Sequence, residues 1–114
     1  MRKAKIYYNK ILAGSLIEEG SNNYVFTYDE KYYNDHSMPA ISLTLPKLRR
    51  EYRSTYLFPF FYNMLAEGVN KQLQSRQLRI DEEDAFGLLL ATAGNDTIGA
   101  ITVKPSNDEF IGNN

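Results

Sequence analysis

Apolar and polar residues divide this chain into short runs. "AKIYY" (residues 4–8) and "ILAGSLIE" (residues 11–18) flank Asn9-Lys10, a two-residue hairpin turn in which asparagine tolerates positive φ. Gly14 inside the second run marks a bulge or a close backbone approach. "EGSNN" (residues 19–23) is a turn. "YVFTY" then alternates strictly, with Tyr24, Phe26 and Tyr28 on one face and Val25 and Thr27 on the other. These three runs predict an antiparallel meander. "DEKYYNDHSM" reads as one helical turn and a loop. "PAISLTLP" (residues 39–46) alternates again, predicting a short or edge strand with Ile41, Leu43 and Leu45 on one side.

"KLRREYR" (residues 47–53) reads as a flexible, basic surface loop. In "LFPFFYNMLAEG" (residues 57–68), Pro59 suits a first helical turn and Gly68 suits the residue after the last. A helix of about two turns has more large apolar side chains there than one face hides. Val69, Leu73 and Leu78 recur at roughly helical spacing in the next stretch. Asp81 is the expected N-cap of another helix, with Glu82, Glu83 and Asp84 in its first turn. Its inward stripe is Phe86, Leu89, Leu90 and Ala93, and Gly94 ends it. Asn95-Asp96 turns the chain into a last strand, "TIGAITV", closed by Pro105. Strands, then helices, then a strand predict a small single α+β domain: an antiparallel β meander plus additional strands, with two or three short helices. Residues 1–105 form the domain, and residues 106–114 are expected to be a flexible C-terminal tail.

Composition adds a few exclusions. The chain has 114 residues, enough for one modest core, and 43 % hydrophobic and 24 % charged residues are ordinary globular values. It has no cysteine, so thiol chemistry and disulfides are excluded. No apolar run approaches the roughly 20 residues of a membrane span, and the basic N-terminus lacks a signal core, so a cytoplasmic location is expected. A net charge of −1 supplies no global field toward nucleic acid or membrane. Nine tyrosines accompany six phenylalanines and no tryptophan, which suits half-buried sheets and protein interfaces.

Catalytic chemistry is poorly supplied. His36 is the only histidine, and its neighbours Asp35 and Ser37 cannot converge on it along one loop as a triad does. The acidic run 81–84 lacks the alternating ligands and glycine of a calcium loop. "DAFG" only approximates a kinase metal-binding triplet, and "AGNDTIG" lacks the lysine of a phosphate loop. No catalytic residue, cofactor or metal ion is therefore expected. The 47–53 run, with Tyr52 and Tyr56 nearby, leaves a small nucleic-acid-binding module open as an alternative.

Four blocks occur in an order that resembles a known family: "IYYNKILAGSL", "LTLP", "FFYNMLAEG" and "FGLLLATAGNDTIGAITVKP". They are similar to the N-terminal subdomain of HipA-type toxin kinases, over about residues 4–105. Ala66 stands where that family usually has proline. The kinase core of the family has no counterpart in these residues, so the chain looks like the free-standing, HipS-like form found in HipB–HipS–HipT systems. The resemblance implies a non-catalytic antitoxin that binds and neutralises a HipT-type serine/threonine kinase toxin. It also implies a larger complex with a HipB-like helix-turn-helix DNA-binding protein, in a system linked to growth arrest and persistence. The alternative within the family is an accessory subunit that positions or activates a split kinase. The kinase-facing set expected here is Phe58, Phe60, Tyr62, Asn63, Met64 and Glu67, with Arg49, Arg50 and Arg53 as electrostatic contacts. If Phe61 and Leu65 are core, then Tyr62, Asn63 and Met64 fall on the outer side.

Overall fold

In a computed structural model describing residues 2–20, 22–65, 68–92 and 100–106, the meander forms as the pattern predicts. Strand β1 (Arg2–Tyr8) pairs antiparallel with β2 (Ile11–Glu18), and β2 with β3 (Tyr24–Tyr28). Asn9 and Lys10 have φ of 46° and 71°, the paired left-handed conformation whose twist matches that of the flanking strands. The register moves from Ile6↔Gly14 to Tyr7↔Leu12, so Ala13 is the extra residue of a bulge. Glycine follows it for a steric reason: a Cβ on Gly14 would lie 2.4 Å from the Thr27 carbonyl oxygen.

Two more strands extend the sheet among the described residues. β4 (Glu51–Ser54) pairs with β3, and β5 (Ile101–Pro105) pairs with β1, giving the order β4-β3-β2-β1-β5, antiparallel throughout. One face carries Ala4, Ile6, Leu16, Phe26, Tyr28, Ile101 and Val103, all buried in a single core. Over it pack Tyr32 of α1 (Glu30–Asn34), Phe61 of α2 (Pro59–Tyr62), and Phe86, Leu88 and Leu89 of α4 (Ala85–Thr92). Each of these large side chains contributes roughly 1.5–3 kcal/mol by leaving water. Helix α3 (Gly68–Leu78) differs: its residues are polar nearly all round, and Leu73 and Leu78 are exposed. The described residues thus hold four helical segments, one more than expected.

The segment 39–46 is not a strand. Its turn is closed by Leu45 N–H donating to the Ser42 carbonyl at 3.1 Å, and Thr44 N–H donates to Ser42 Oγ at 3.2 Å. Ile41 and Leu45 are buried while Leu43 is 99 % exposed, so the apolar period is four rather than two. Prolines 39 and 46 cannot donate to a ladder, and tyrosine hydroxyls do the ladder's work. Tyr28 O–H donates to the Leu45 carbonyl and accepts from Ile41 N–H at 3.1 Å. Tyr32 O–H donates to the Pro39 carbonyl at 2.6 Å, and Tyr52 O–H donates to that of Pro46. Lys47 Nζ adds bonds to the carbonyls of Asp35 and Met38, at 2.7 and 2.9 Å. Buried backbone needs partners, and here side chains supply them.

Nor is 47–53 simply a loop, since its second half forms β4. Arg50 joins the two parts: its carbonyl accepts from Tyr28 N–H at 2.8 Å and its Nε donates to the Tyr28 carbonyl at 2.9 Å. Gly68 opens α3 instead of closing α2. The end of α3 is a Schellman cap, with Ile80 N–H on the Ser75 carbonyl, Arg79 N–H on the Arg76 carbonyl, and Arg79 at φ 58°.

Helix α4 starts later than expected, because Asp84 rather than Asp81 caps it. Gly87 N–H donates to Asp84 Oδ1 at 3.1 Å, and Asp81 instead closes the preceding turn by accepting from Glu83 N–H. Asp84 also meets Arg2, whose guanidinium donates to both Asp84 oxygens (2.8 and 2.9 Å) and to both Glu18 oxygens (2.7 and 2.9 Å). The Arg2 hydrogen bonds hold the Asp84 carboxyl below the usual carboxylate range. A Cβ on Gly87 would sit 2.2 Å from Asp84 Oδ2, so this bridge needs the glycine. Phe86 and Leu89 face inward as expected and Leu90 is half-buried, whereas Ala93, Gly94, Asn95-Asp96 and residues 97–99 of the last expected strand lie outside the described residues. Ser106 N–H still pairs, with the Lys3 carbonyl at 2.9 Å; the tail from 107 onward lies outside them too.

Candidate partner-binding surface

The crowded aromatic stretch is sheltered mostly from within. Pro59 opens α2, a single turn, and Asn63 N–H closes it on the Pro59 carbonyl at 2.9 Å. Phe61 is fully buried, with the rings of Phe60, Phe26 and Phe58 at 5.2, 6.0 and 6.4 Å. Leu57 and Leu65 are buried beside it. The Phe61/Leu65 stripe is therefore the inward one.

Phe58 must be corrected as a surface residue. It is the residue before the first helical turn, its side chain is only 8 % exposed, and it belongs to the core cluster. Phe60 and Met64 are half-buried and rest against that core. Tyr62 (46 % exposed) and Asn63 point to solvent, with Lys71 Nζ of α3 5.7 Å from the Tyr62 ring centroid. Glu67 lies outside the described residues. The structure thus brings together a narrow outer arc of Phe60, Tyr62, Asn63 and Met64.

Two further exposed apolar residues escaped the sequence reading, Leu43 and Leu48 (86 % exposed), and Tyr56, noted there only beside the basic run, is 79 % exposed. Leu43 was hidden by the false alternation of 39–46. A signal did exist for the two leucines, since Leu43 stands between Ser42 and Thr44 and Leu48 between Lys47 and Arg49.

The basic cluster is largely spent on the chain itself. Arg50 holds Tyr28 as described, and Arg53 donates to Glu51 at 2.9 Å and to Glu19 at 3.3 Å. Arg49 stacks on Tyr52, its Cζ 4.7 Å from the ring centroid. His36 is exposed, and the Asp35 carboxylate beside it accepts from both Ser37 Oγ (2.6 Å) and Ser37 N–H (3.0 Å). That is a turn-forming pattern, and the Ser37 hydroxyl lowers the Asp35 pKa. Among the described residues no helix is long and apolar enough to cross a membrane.

Comparison with known proteins gives a consistent result. The HipA N-terminal domain family matches residues 4–104. A Haemophilus influenzae protein of uncharacterised function is 30 % identical over 104 residues, covering 91 % of this chain and 92 % of its own. Two Sinorhizobium fredii proteins, named "Putative kinase Y4mE" and "Putative kinase Y4dM", are 23 % and 33 % identical over 97 % and 72 % of this chain. The matched region spans only 26 % and 21 % of their lengths. Among solved structures, the N-terminal domain of HipA toxin superposes with a TM-score of 0.69 at 28 % identity, covering 94 % of each chain.

Proposed function

Because the chain belongs to the HipA N-terminal domain family, we propose that it is a non-catalytic antitoxin that binds and neutralises a HipT-type serine/threonine kinase. The observation that carries this reading is the domain's dual occurrence. It makes up about a quarter of kinase-named relatives and nearly the whole length of the Haemophilus influenzae relative. A domain built to sit against a kinase body keeps a matching surface when the two are separate polypeptides. The outer arc of α2 supplies that surface here, with Tyr62 and Met64 as anchors beside Asn63. Tyrosine and methionine suit the role, the first as a rigid ring with a polar tip and the second as a flexible filler of irregular pockets. Inhibition by this route is stoichiometric, because the protein acts by occupying the kinase. A HipB-like DNA-binding protein completes the complex in this reading.

The test is co-expression with a HipT-type kinase. Tyr62→Asp with Met64→Asp should leave the free domain folded, weaken the complex by at least about tenfold and restore growth arrest, since a few central anchors dominate such interfaces. Undiminished neutralisation by this double variant would refute the placement. Greater kinase toxicity with the wild-type protein than without it would replace inhibition by the accessory-subunit reading.

A further inference from the structure

The two edges of the sheet are not alike. The order β4-β3-β2-β1-β5 leaves β4 and β5 with one neighbour each among the described residues. On the β5 side, Ser106 N–H donates to the Lys3 carbonyl. Ser106, Lys104 and Thr102 therefore turn their backbone groups toward β1, and Pro105 turns away from it. The free edge of β5 thus carries a residue with no N–H to give, next to the exposed Lys104. Proline and lysine are the usual guards against edge pairing.

β4 lacks both. Tyr28 N–H donates to the Arg50 carbonyl, so Arg50, Tyr52 and Ser54 face β3, while Glu51 and Arg53 present their N–H and C=O groups outward. No bond to those four groups is found among the described residues. The side chains of Glu51 and Arg53 are exposed, on the face away from the core, and Arg53 Nε donates to Glu51 at 2.9 Å. An edge bearing one sign of charge repels its own copy. This edge bears both signs, two positions apart, and laid antiparallel beside itself it sets carboxylate against guanidinium.

We propose that β4 is the contact edge of a two-fold homodimer, in which Glu51 and Arg53 of one copy pair with Arg53 and Glu51 of a second copy. The axis passes beside Tyr52, whose own backbone groups are committed to β3. The four outward groups of each copy then meet those of the other, and the charges alternate around the seam, each carboxylate between two arginines. The same register directs the exposed Leu48 of each copy toward the exposed Tyr56 of the other. Pairing also ends the assembly, because the only edges left to the joined sheet are the two guarded β5 strands. A strand of four residues makes a small contact, so association is weak and concentration-dependent. It uses none of the α2 residues assigned to the kinase, so it stands or falls without one.

The experiment is sedimentation velocity of the full chain over a concentration series, with backbone amide NMR at the highest concentration. The expected result is a monomer–dimer equilibrium with a Kd between about 10 μM and 1 mM, and slowed exchange at the Glu51 and Arg53 amides. E51K sets a cation opposite Arg53, and R53E sets a carboxylate opposite Glu51. Each enters the seam twice and should weaken association at least about tenfold. An equimolar mixture of E51K and R53E should recover the wild-type equilibrium, because the mixed dimer again joins opposite charges throughout. Glu51→Pro removes an outward N–H without touching the bonds to β3, and should weaken the dimer with no rescue by mixing. A protein that stays monomeric to about 1 mM would overturn the proposal and leave the edge to an extended segment of another polypeptide. So would a dimer indifferent to these variants, failure of the mixture to recover, or slowed exchange confined to other amides.

Discussion

The meander of β1 to β3 and the stretch from Met38 to Leu65 feed the same core, yet they satisfy their backbones in opposite ways. In the meander, strand pairs with strand, and the side chains need only alternate. In the later stretch, outside the short strand β4, the chain bends through turns and a single helical turn. Its carbonyls at Pro39, Leu45 and Pro46 are met by the hydroxyls of Tyr32, Tyr28 and Tyr52. Two of those tyrosines, Tyr28 and Tyr52, project from the sheet itself. Regular structure is therefore the scaffold from which irregular structure is held, and tyrosine connects them.

The largest expected effect lies in the meander. Gly14→Ala drives a methyl group into the Thr27 carbonyl and the Phe26 ring, and because the first of these is backbone the strands must shift. A loss of about 3 kcal/mol is expected in urea unfolding, followed by circular dichroism because tryptophan is absent. Next comes Tyr28→Phe, which keeps the ring but strips the Leu45 carbonyl and Ile41 N–H of their partner. It should cost about 2 kcal/mol, with faster amide exchange confined largely to residues 39–46. Exchange spreading evenly through β1 to β3 would contradict the division of labour.

pH separates the ion pair that ties down β1 from the tyrosine hydroxyls that hold the later stretch. Arg2 lowers the Asp84 pKa, so the stability this pair gives the meander is complete above pH about 4 and is lost as pH falls through the lowered value. Asp84→Asn keeps a capping oxygen and should flatten the acid limb of the stability curve. Burial raises the Tyr28 pKa and pushes that of Tyr32 up to about 12. Their contribution is complete below pH about 10 and drains as pH rises toward those values. Tyr32→Phe should therefore soften the alkaline limb while leaving the acid limb unchanged. The smallest effect is a gain outside both regions: Arg79→Gly relieves the left-handed residue after α3 and should add about 0.5–1 kcal/mol, read as a raised midpoint.

The same contrast explains what the sequence made legible. Ladder-paired elements announce themselves, and the hairpin, the bulge near Gly14 and the alternation of β3 follow from local rules. The 39–46 segment misleads because its spacing imitates a strand while its partners are hydroxyls 6 to 17 residues away. The start of α4 was displaced for a similar reason, since Asp84 gains an arginine 82 residues distant. At the candidate site, the stripe argument placed Tyr62 and Asn63 correctly relative to Phe61 and Leu65. It could not place Phe58, which precedes the helix and so obeys no helical spacing.

That order also sets a timetable for synthesis. β1 lies inside the sheet, flanked by β2, its immediate successor, and by β5, whose Pro105 pairs with Ala4. At ribosomal speeds of about 5–20 residues per second, the first strand waits roughly 5–20 s for its second neighbour. Throughout that interval its outer row of amides stands open to any passing strand. The nascent polypeptide is thus most vulnerable to mispairing along β1, and is released from that hazard only when β5 leaves the ribosome.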